Sequence, residues 1–143
     1  MARLDGIGGT VVLDAEGLVK LAKGHPSAVD RAKAAYTRQA SLVTAATTLT
    51  EVLRGGPRDA PVHRVLRRVK VIAIDSERAR AAGELLGRTG LSGHQCALDA
   101  LLATVAMTQP RPVILLTSDT DDMVKLTQEP DRPAKERVAV VRI

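Results

Sequence analysis

Five short apolar runs divide this chain at spacings that leave room for helices between them. They are TVVLD (10–14), SLVTA (41–45), VKVIAI (69–74), PVILLTS (112–118) and VAVVRI (138–143). Runs of five to seven residues rich in Val, Ile and Leu, bounded by turn residues, are the pattern of strands buried on both faces. Strands that alternate with helices are joined by right-handed crossovers, and they build a mainly parallel sheet with helices packed against it. The expected class is therefore α/β, a single domain built on a mainly parallel sheet of five strands.

The intervening segments carry helix signals. AEGLVKLAKG runs from the first strand to a stop at Gly24 and Pro26. Ser27 opens a second helix, in which Val29, Ala32 and Tyr36 form an apolar stripe. TTLTEVLRGG predicts a helix halted by Gly55 and Gly56, and PVHRVLRRV predicts another. Asp75 or Ser76 caps a helix that continues to about Arg88, with Gly90 as its C-terminal stop. Residues 94–108 form the strongest helical pattern, with Leu98, Leu101, Leu102 and Val105 as one ridge. A short helix follows the fourth strand to about Thr127, and QEPDRPAKER is expected to be a polar loop.

The chain has 143 residues, 45% apolar and 26% charged, with one tyrosine (Tyr36) and neither Phe nor Trp. Such a composition suits a soluble globular protein whose core is aliphatic. The formal net charge is +5, which favours polyanionic partners. The surplus is concentrated at Arg54, Arg58, Arg64, Arg67, Arg68 and Lys70, opposed only by Asp59. A solvated helix face would explain it, and so would a phosphate-binding strip. The lone cysteine, Cys96, excludes an internal disulfide and a cysteine-based zinc site, and it suits a reducing compartment. MARLDGIGG has no apolar signal core and no run reaches membrane-spanning length, so a cytoplasmic protein with no membrane partner is expected.

In an open parallel sheet, sites gather beyond the carboxyl ends of the strands. TVVLD ends in Asp14 and PVILLTSD in Asp119, so both carboxylates are expected at the same edge. The second strand leads into a helix whose first turn carries Glu51, and Asp99 lies beside the leucine ridge of the long helix. Each acid but one has an ordinary explanation. Asp14 can begin a turn, Thr48-x-x-Glu51 fits a capping box, and Asp119 can cap a helix with Asp121 and Asp122 at its positive end. Asp99 caps nothing, and an unpaired buried carboxylate costs several kcal/mol, roughly. Acids that meet at one edge raise each other's pKa values, and a divalent cation removes that penalty. Hard oxygen donors suit Mg²⁺ or Mn²⁺, and such ions serve phosphoryl chemistry.

VVLDAEGL, TLTEVLRGG, ALDALLATVA and LLTSDTDDM, in this order and spacing, resemble the acidic motifs of the PIN-domain nucleases, most of all their small VapC toxin branch. The likeness spans nearly the whole chain. It implies a single PIN-like domain over 1–143, a five-stranded parallel sheet with helices on both faces in three layers, and a Mg²⁺- or Mn²⁺-dependent endoribonuclease. Asp14, Glu51, Asp99 and Asp119 match the family's acids, with Asp14, Asp99 and Asp119 as metal ligands and Asp122 as an accessory acid. Thr117 and Ser118 are expected to donate hydrogen bonds that orient Asp119. Glu16 departs from the pattern, since many members carry a small hydroxyl residue there; it could join the site or point away. The family further implies a homodimer, an RNA substrate (tRNA, rRNA or mRNA), and a cognate antitoxin whose C-terminal segment, often with an arginine, enters the acidic site.

Other readings compete. LDAEG and TSDTDD are similar to the acidic motifs of haloacid dehalogenase-like phosphatases, but Glu16 stands where an Asp is usual and little chain is left for a cap domain. A PIN-like fold can also persist as a catalytically silent RNA- or protein-binding module. His94 and Asp99, five residues apart on a helix, diverge by roughly 140° and cannot easily pair. Cys96 reads as a small buried apolar residue. With Tyr36 the only aromatic side chain, RNA recognition is expected to rest on phosphate contacts and shape, not on base stacking.

Overall fold

Consecutive residues of a strand face opposite sides of a sheet. In β1 (Thr10–Leu13) every residue is nevertheless buried, because both sides are covered by helices. Val11 and Leu13 join Leu18, Ala35, Val62, Val69 and Leu116 in one apolar cluster, and Val12 joins Val43, Leu115 and the opposite helices in a second. The computed structural model describes residues 8–143. The stretch MARLDGI, which contributed to the expectation of no signal core, lies outside the described residues.

The described strands are β1, β2 (Ser41–Ala45), β3 (Val69–Ile72), β4 (Val113–Thr117) and β5 (Ala139–Arg142). All pair in parallel, in the order β3-β2-β1-β4-β5. The helices α1 (Ala15–Ala22), α2 (Pro26–Thr37), α3 (Leu49–Val52) and α4 (Ala60–Leu66) join the first three strands. They are followed by α5 (Ser76–Thr89), α6 (Gly93–Met107) and α7 (Thr120–Leu126). Leu18 of α1, Ala35 of α2 and Val62 of α4 cover one face. Ala82 and Leu85 of α5, five residues from Ala100 to Ala106 of α6, and Met123 and Leu126 of α7 cover the other. These are the three layers that the resemblance implies. No described helix is long and apolar enough to cross a membrane.

The ends of most elements follow local chemistry. Asp75 caps α5 by accepting the Arg78 N–H, and Gly90 closes it in the left-handed region at φ 69°. Two glycines let the chain enter β1. A Cβ at Gly8 would stand 1.7 Å from the Arg38 carbonyl oxygen, and one at Gly9, whose φ is +92°, 2.2 Å from that of Pro112.

Several expectations need correcting. TTLTEVLRGG forms only a 3₁₀ turn (Ala46–Thr48) and the single turn of α3, because the chain turns away at Leu53. Helix α2 starts at Pro26, whose fixed φ suits a first helical position. Strand β3 ends at Ile72, two residues earlier than VKVIAI suggests. The QEPDRPAKER loop contains a 3₁₀ turn at Ala134–Glu136. Leu98 is 37% exposed, so the apolar ridge of α6 does not begin there. Ala100 and the run Leu102–Ala106 are buried instead, since this half of α6 lies between the sheet and two helices.

Candidate metal centre

The strand order reverses between β1 and β4, where the chain moves from one half of the sheet to the other. A crevice at the carboxyl ends of two such strands is the expected place for a ligand. Asp14 and Asp119 follow those two ends. Asp14 is buried, and both of its carboxylate oxygens are held: Oδ1 accepts the Gly17 N–H at 2.7 Å, and Oδ2 accepts the Ser118 N–H at 3.0 Å. The first bond caps α1. Capping and a site role are therefore compatible, since the cap fixes the direction of the carboxylate.

Asp119 caps α7 by accepting the Asp122 N–H at 3.4 Å, and its own N–H donates to the Thr117 hydroxyl at 3.0 Å. Asp122 lies in the first turn of that helix, in contact with Cys96 of α6. Asp99, half-buried on α6, completes the group: one carboxylate oxygen from each of Asp99, Asp119 and Asp122 lies within 4.8 Å of the others. Burial pushes the Asp99 carboxyl up to about 6, aided by the charges of Asp119, Glu51, Asp14 and Asp122 in that order. The charges of Asp14, Glu51, Asp119 and Asp122 thus all reach Asp99, while the three-carboxylate group takes in Asp99, Asp119 and Asp122.

Glu51 stands exposed at the rim, its carboxyl raised by partial burial and then by the Asp14 charge. The capping box expected with Thr48 does not form. Thr48 has helical backbone angles and makes no side-chain cap. The turn that carries Glu51 is braced from its other end. The Arg54 guanidinium donates to the carbonyls of Thr50, Glu51 and Leu53, at 2.9, 3.1 and 2.8 Å. Buried Asp59 accepts the N–H groups of Arg54 and Gly55 at 2.9 and 2.7 Å. The Gly55 bond, then the Arg54 bond, hold the Asp59 carboxyl below its usual range.

The remaining candidates are placed as follows. Glu16 is exposed in the first turn of α1 and stands outside the three-carboxylate group. Thr117 and Ser118 support the site differently from the expectation: the Thr117 hydroxyl accepts the Asp119 backbone N–H, and the Ser118 N–H serves Asp14. Asp121 is exposed helix-start charge. His94 is exposed in the first turn of α6, as its distance from Asp99 suggested. Cys96 is buried, and its S–H donates to Asp122 Oδ2 at 3.7 Å, so it touches the site that its apolar reading kept it out of. Burial, then the Asp122 charge and hydrogen bond, raise this thiol. Asp59 and Arg142 were missed altogether. At the end of β5, Arg142 donates to the Ser118 carbonyl at 2.9 Å and to the Thr120 hydroxyl at 2.7 Å.

The basic strip does not lie at one place. The chain between β2 and β3 travels from the carboxyl edge to the amino edge of the sheet, because the two strands are parallel. Arg54 therefore stands beside Glu51, while Arg67, Arg68 and Lys70 adjoin Val69 at the far edge, with exposed Arg58 and Arg64 between in the chain. Tyr36, 85% exposed, is in the last turn of α2, next to the start of β2 and so also at the far edge. The chain's one aromatic side chain is remote from the acids.

The three carboxylates suit one hard cation. One oxygen from each lies within 4.8 Å of the others, near enough for small side-chain adjustments to bring all three onto one ion. Oxygen-only donors favour Mg²⁺ or Mn²⁺ over softer metals.

No protein-family model matches the sequence, and a search of curated proteins found no match either. Solved structures do match. A chain in the crystal structure of VapBC2 from Rickettsia felis, bound to a DNA fragment from their promoter, superposes with a TM-score of 0.64 at 16% identity. The match covers 92% of this chain and 98% of that one. A chain of a toxin–antitoxin complex from Klebsiella pneumoniae superposes with a TM-score of 0.58 at 20% identity, over 78% and 88% respectively. At these identities the likeness establishes the fold. The chain has the three-layer, PIN-like α/β/α fold seen in these toxin–antitoxin structures.

Proposed function

We propose that this protein is a metal-dependent endoribonuclease of the VapC toxin type, and that the acidic crevice is its active site. The observation that carries the reading is the meeting of Asp99, Asp119 and Asp122 within 4.8 Å. The charges of Asp14 and Glu51 also act on Asp99. So much negative charge in one crevice is costly without a cation. Asp99, Asp119 and Asp122 would hold Mg²⁺ or Mn²⁺, with Asp14 adding charge from its fixed position. Bound there, the ion supplies an acidified water and neutralises charge on the phosphate under attack. Glu51, at the rim, would serve as a general base in that chemistry. Exposed Arg58 and Arg64 lead away from the crevice and would bind RNA phosphates. Arg54 contributes mainly by bracing the turn of Glu51.

The toxin–antitoxin character of the structural neighbours supports a cognate antitoxin as the controlling partner. A homodimer as the working form follows from the family resemblance alone. The test is cleavage of a panel of tRNA, rRNA and mRNA fragments with Mg²⁺, Mn²⁺ or EDTA, using wild type, Asp99→Asn and Asp119→Asn. Metal-dependent cleavage lost in both variants is the expected result. Cleavage that survives EDTA or both substitutions overturns the proposal.

A further inference from the structure

We infer that Arg142 is a positioning residue for Asp119, fixing the loop that aims this carboxylate at the cation. The inference rests on the metal-centre reading above. Arg142 is paired with Thr117 across the β4–β5 ladder, and the next residue, Ile143, donates its N–H to the Thr117 carbonyl at 3.1 Å. From this anchored position the guanidinium reaches over the carboxyl edge. One nitrogen donates to the Ser118 carbonyl at 2.9 Å and the other to the Thr120 hydroxyl at 2.7 Å. The two acceptors belong to the residues immediately before and after Asp119.

Asp119 itself is exposed, and its carboxylate has one weak restraint, a long 3.4 Å bond from the Asp122 N–H; its backbone is held by the Thr117 hydroxyl on its N–H and by the Met123 N–H on its carbonyl at 3.2 Å. Without the arginine fork, the Ser118–Thr120 segment is held by the start of a seven-residue helix and by the Ser118 bond to Asp14. A planar guanidinium can bridge two such acceptors at fixed spacing, whereas a lysine ammonium can only approach them as a point charge. Groups that orient a metal ligand typically matter about 10- to 100-fold for metal affinity or activity.

Charge and geometry make opposite predictions here, which gives the proposal its test. Arg142 places a positive charge near a cation site. If charge were its only effect, Arg142→Gln would tighten Mn²⁺ binding. If it positions Asp119, the same variant binds Mn²⁺ more weakly in spite of losing the repulsion. Mn²⁺ affinity is measured by calorimetry or electron paramagnetic resonance, without RNA, for wild type, Arg142→Gln, Arg142→Lys and Thr120→Val. Circular dichroism confirms that each variant is folded.

The expected result is roughly tenfold weaker binding in Arg142→Gln and Arg142→Lys, and a smaller loss in Thr120→Val. Cleavage by these variants is expected to recover at high Mn²⁺, with little change in KM for RNA. Equal or tighter Mn²⁺ binding by Arg142→Gln overturns the inference, as does a rise in KM for RNA with unchanged metal affinity, which would make Arg142 an RNA contact. Failure of wild type to bind Mn²⁺ at all overturns the metal centre itself, a result distinct from either of these.

Discussion

Asp99 is held half-buried among four other acids, and its carboxyl is pushed up to about 6 from an ordinary 3.8. A folded-state value raised above the unfolded one gives stability that is fully present below the unfolded pKa and lost as pH rises through the folded one. Metal-free protein should therefore be more stable near pH 4 than near pH 7 as far as this group is concerned. The loss is roughly 1 to 3 kcal/mol, the lower end allowing for solvent screening. Thermal melts between these pH values, with and without Mn²⁺, check it: Asp99→Asn should flatten the dependence and raise the metal-free melting temperature at pH 7. A variant that melts lower than wild type under those conditions contradicts the assignment. At this scale the sequence revealed the acids that end strands or interrupt an apolar helix, Asp14, Asp119 and Asp99, since a misplaced charge is visible in a line of text. Asp59 and Arg142 were not visible. An aspartate in a Gly-Pro turn and an arginine at a strand end are ordinary until the fold brings Gly55 or Ser118 to them.

Among the elements, the two edges of the sheet divide the work. The acids lie at the carboxyl edge, whereas the amino edge holds a fastening between α6, β4 and the segment before β5. Arg111 pairs with Glu129 through both guanidinium nitrogens at 2.6 and 2.7 Å and also donates to the carbonyls of Met107 and Glu136. Burial raises the Glu129 carboxyl, but the hydrogen bonds from Arg111 and Val138, together with the charges of Arg111 and Arg132, hold it below the usual range. Arg111→Ala should speed amide hydrogen exchange across residues 128–138 while leaving Mn²⁺ affinity within about twofold of wild type, since distant sites act almost independently. Loss of metal binding in this variant would show the edges to be coupled. Gly8→Ala should cost at least about 2 kcal/mol by urea unfolding, because the new Cβ meets backbone and not a yielding side chain. Element order and strand positions were legible because the apolar runs are short and distinct. The single turn of α3 was not, since its length depends on Arg54 and Asp59 bracing the chain from outside the helix.

For the whole molecule, a formal charge of +5 coexists with a cluster of acids, so on the proposed reading the basic residues carry the attraction for RNA. RNA affinity should fall linearly on a log–log plot against salt. Replacing Arg58 and Arg64 together should lower the slope by about 1.4 to 1.8, if each meets one phosphate. An unchanged slope would remove these residues from the RNA path and return them to a solvated surface. With Tyr36 at the far edge, substituting it should not alter cleavage. The mainly parallel α/β class was legible from strand spacing, and it is the fold that brings acids dispersed along the sequence towards one edge of the sheet. The measurement that bears most directly on this function is Mn²⁺ titration of wild type, Asp99→Asn and Asp119→Asn, read alongside RNA cleavage in the same solutions. The expected result is one saturable ion in wild type, loss of binding in both variants, and cleavage that tracks occupancy. Cleavage that proceeds without bound metal, or full occupancy in both variants, would contradict it.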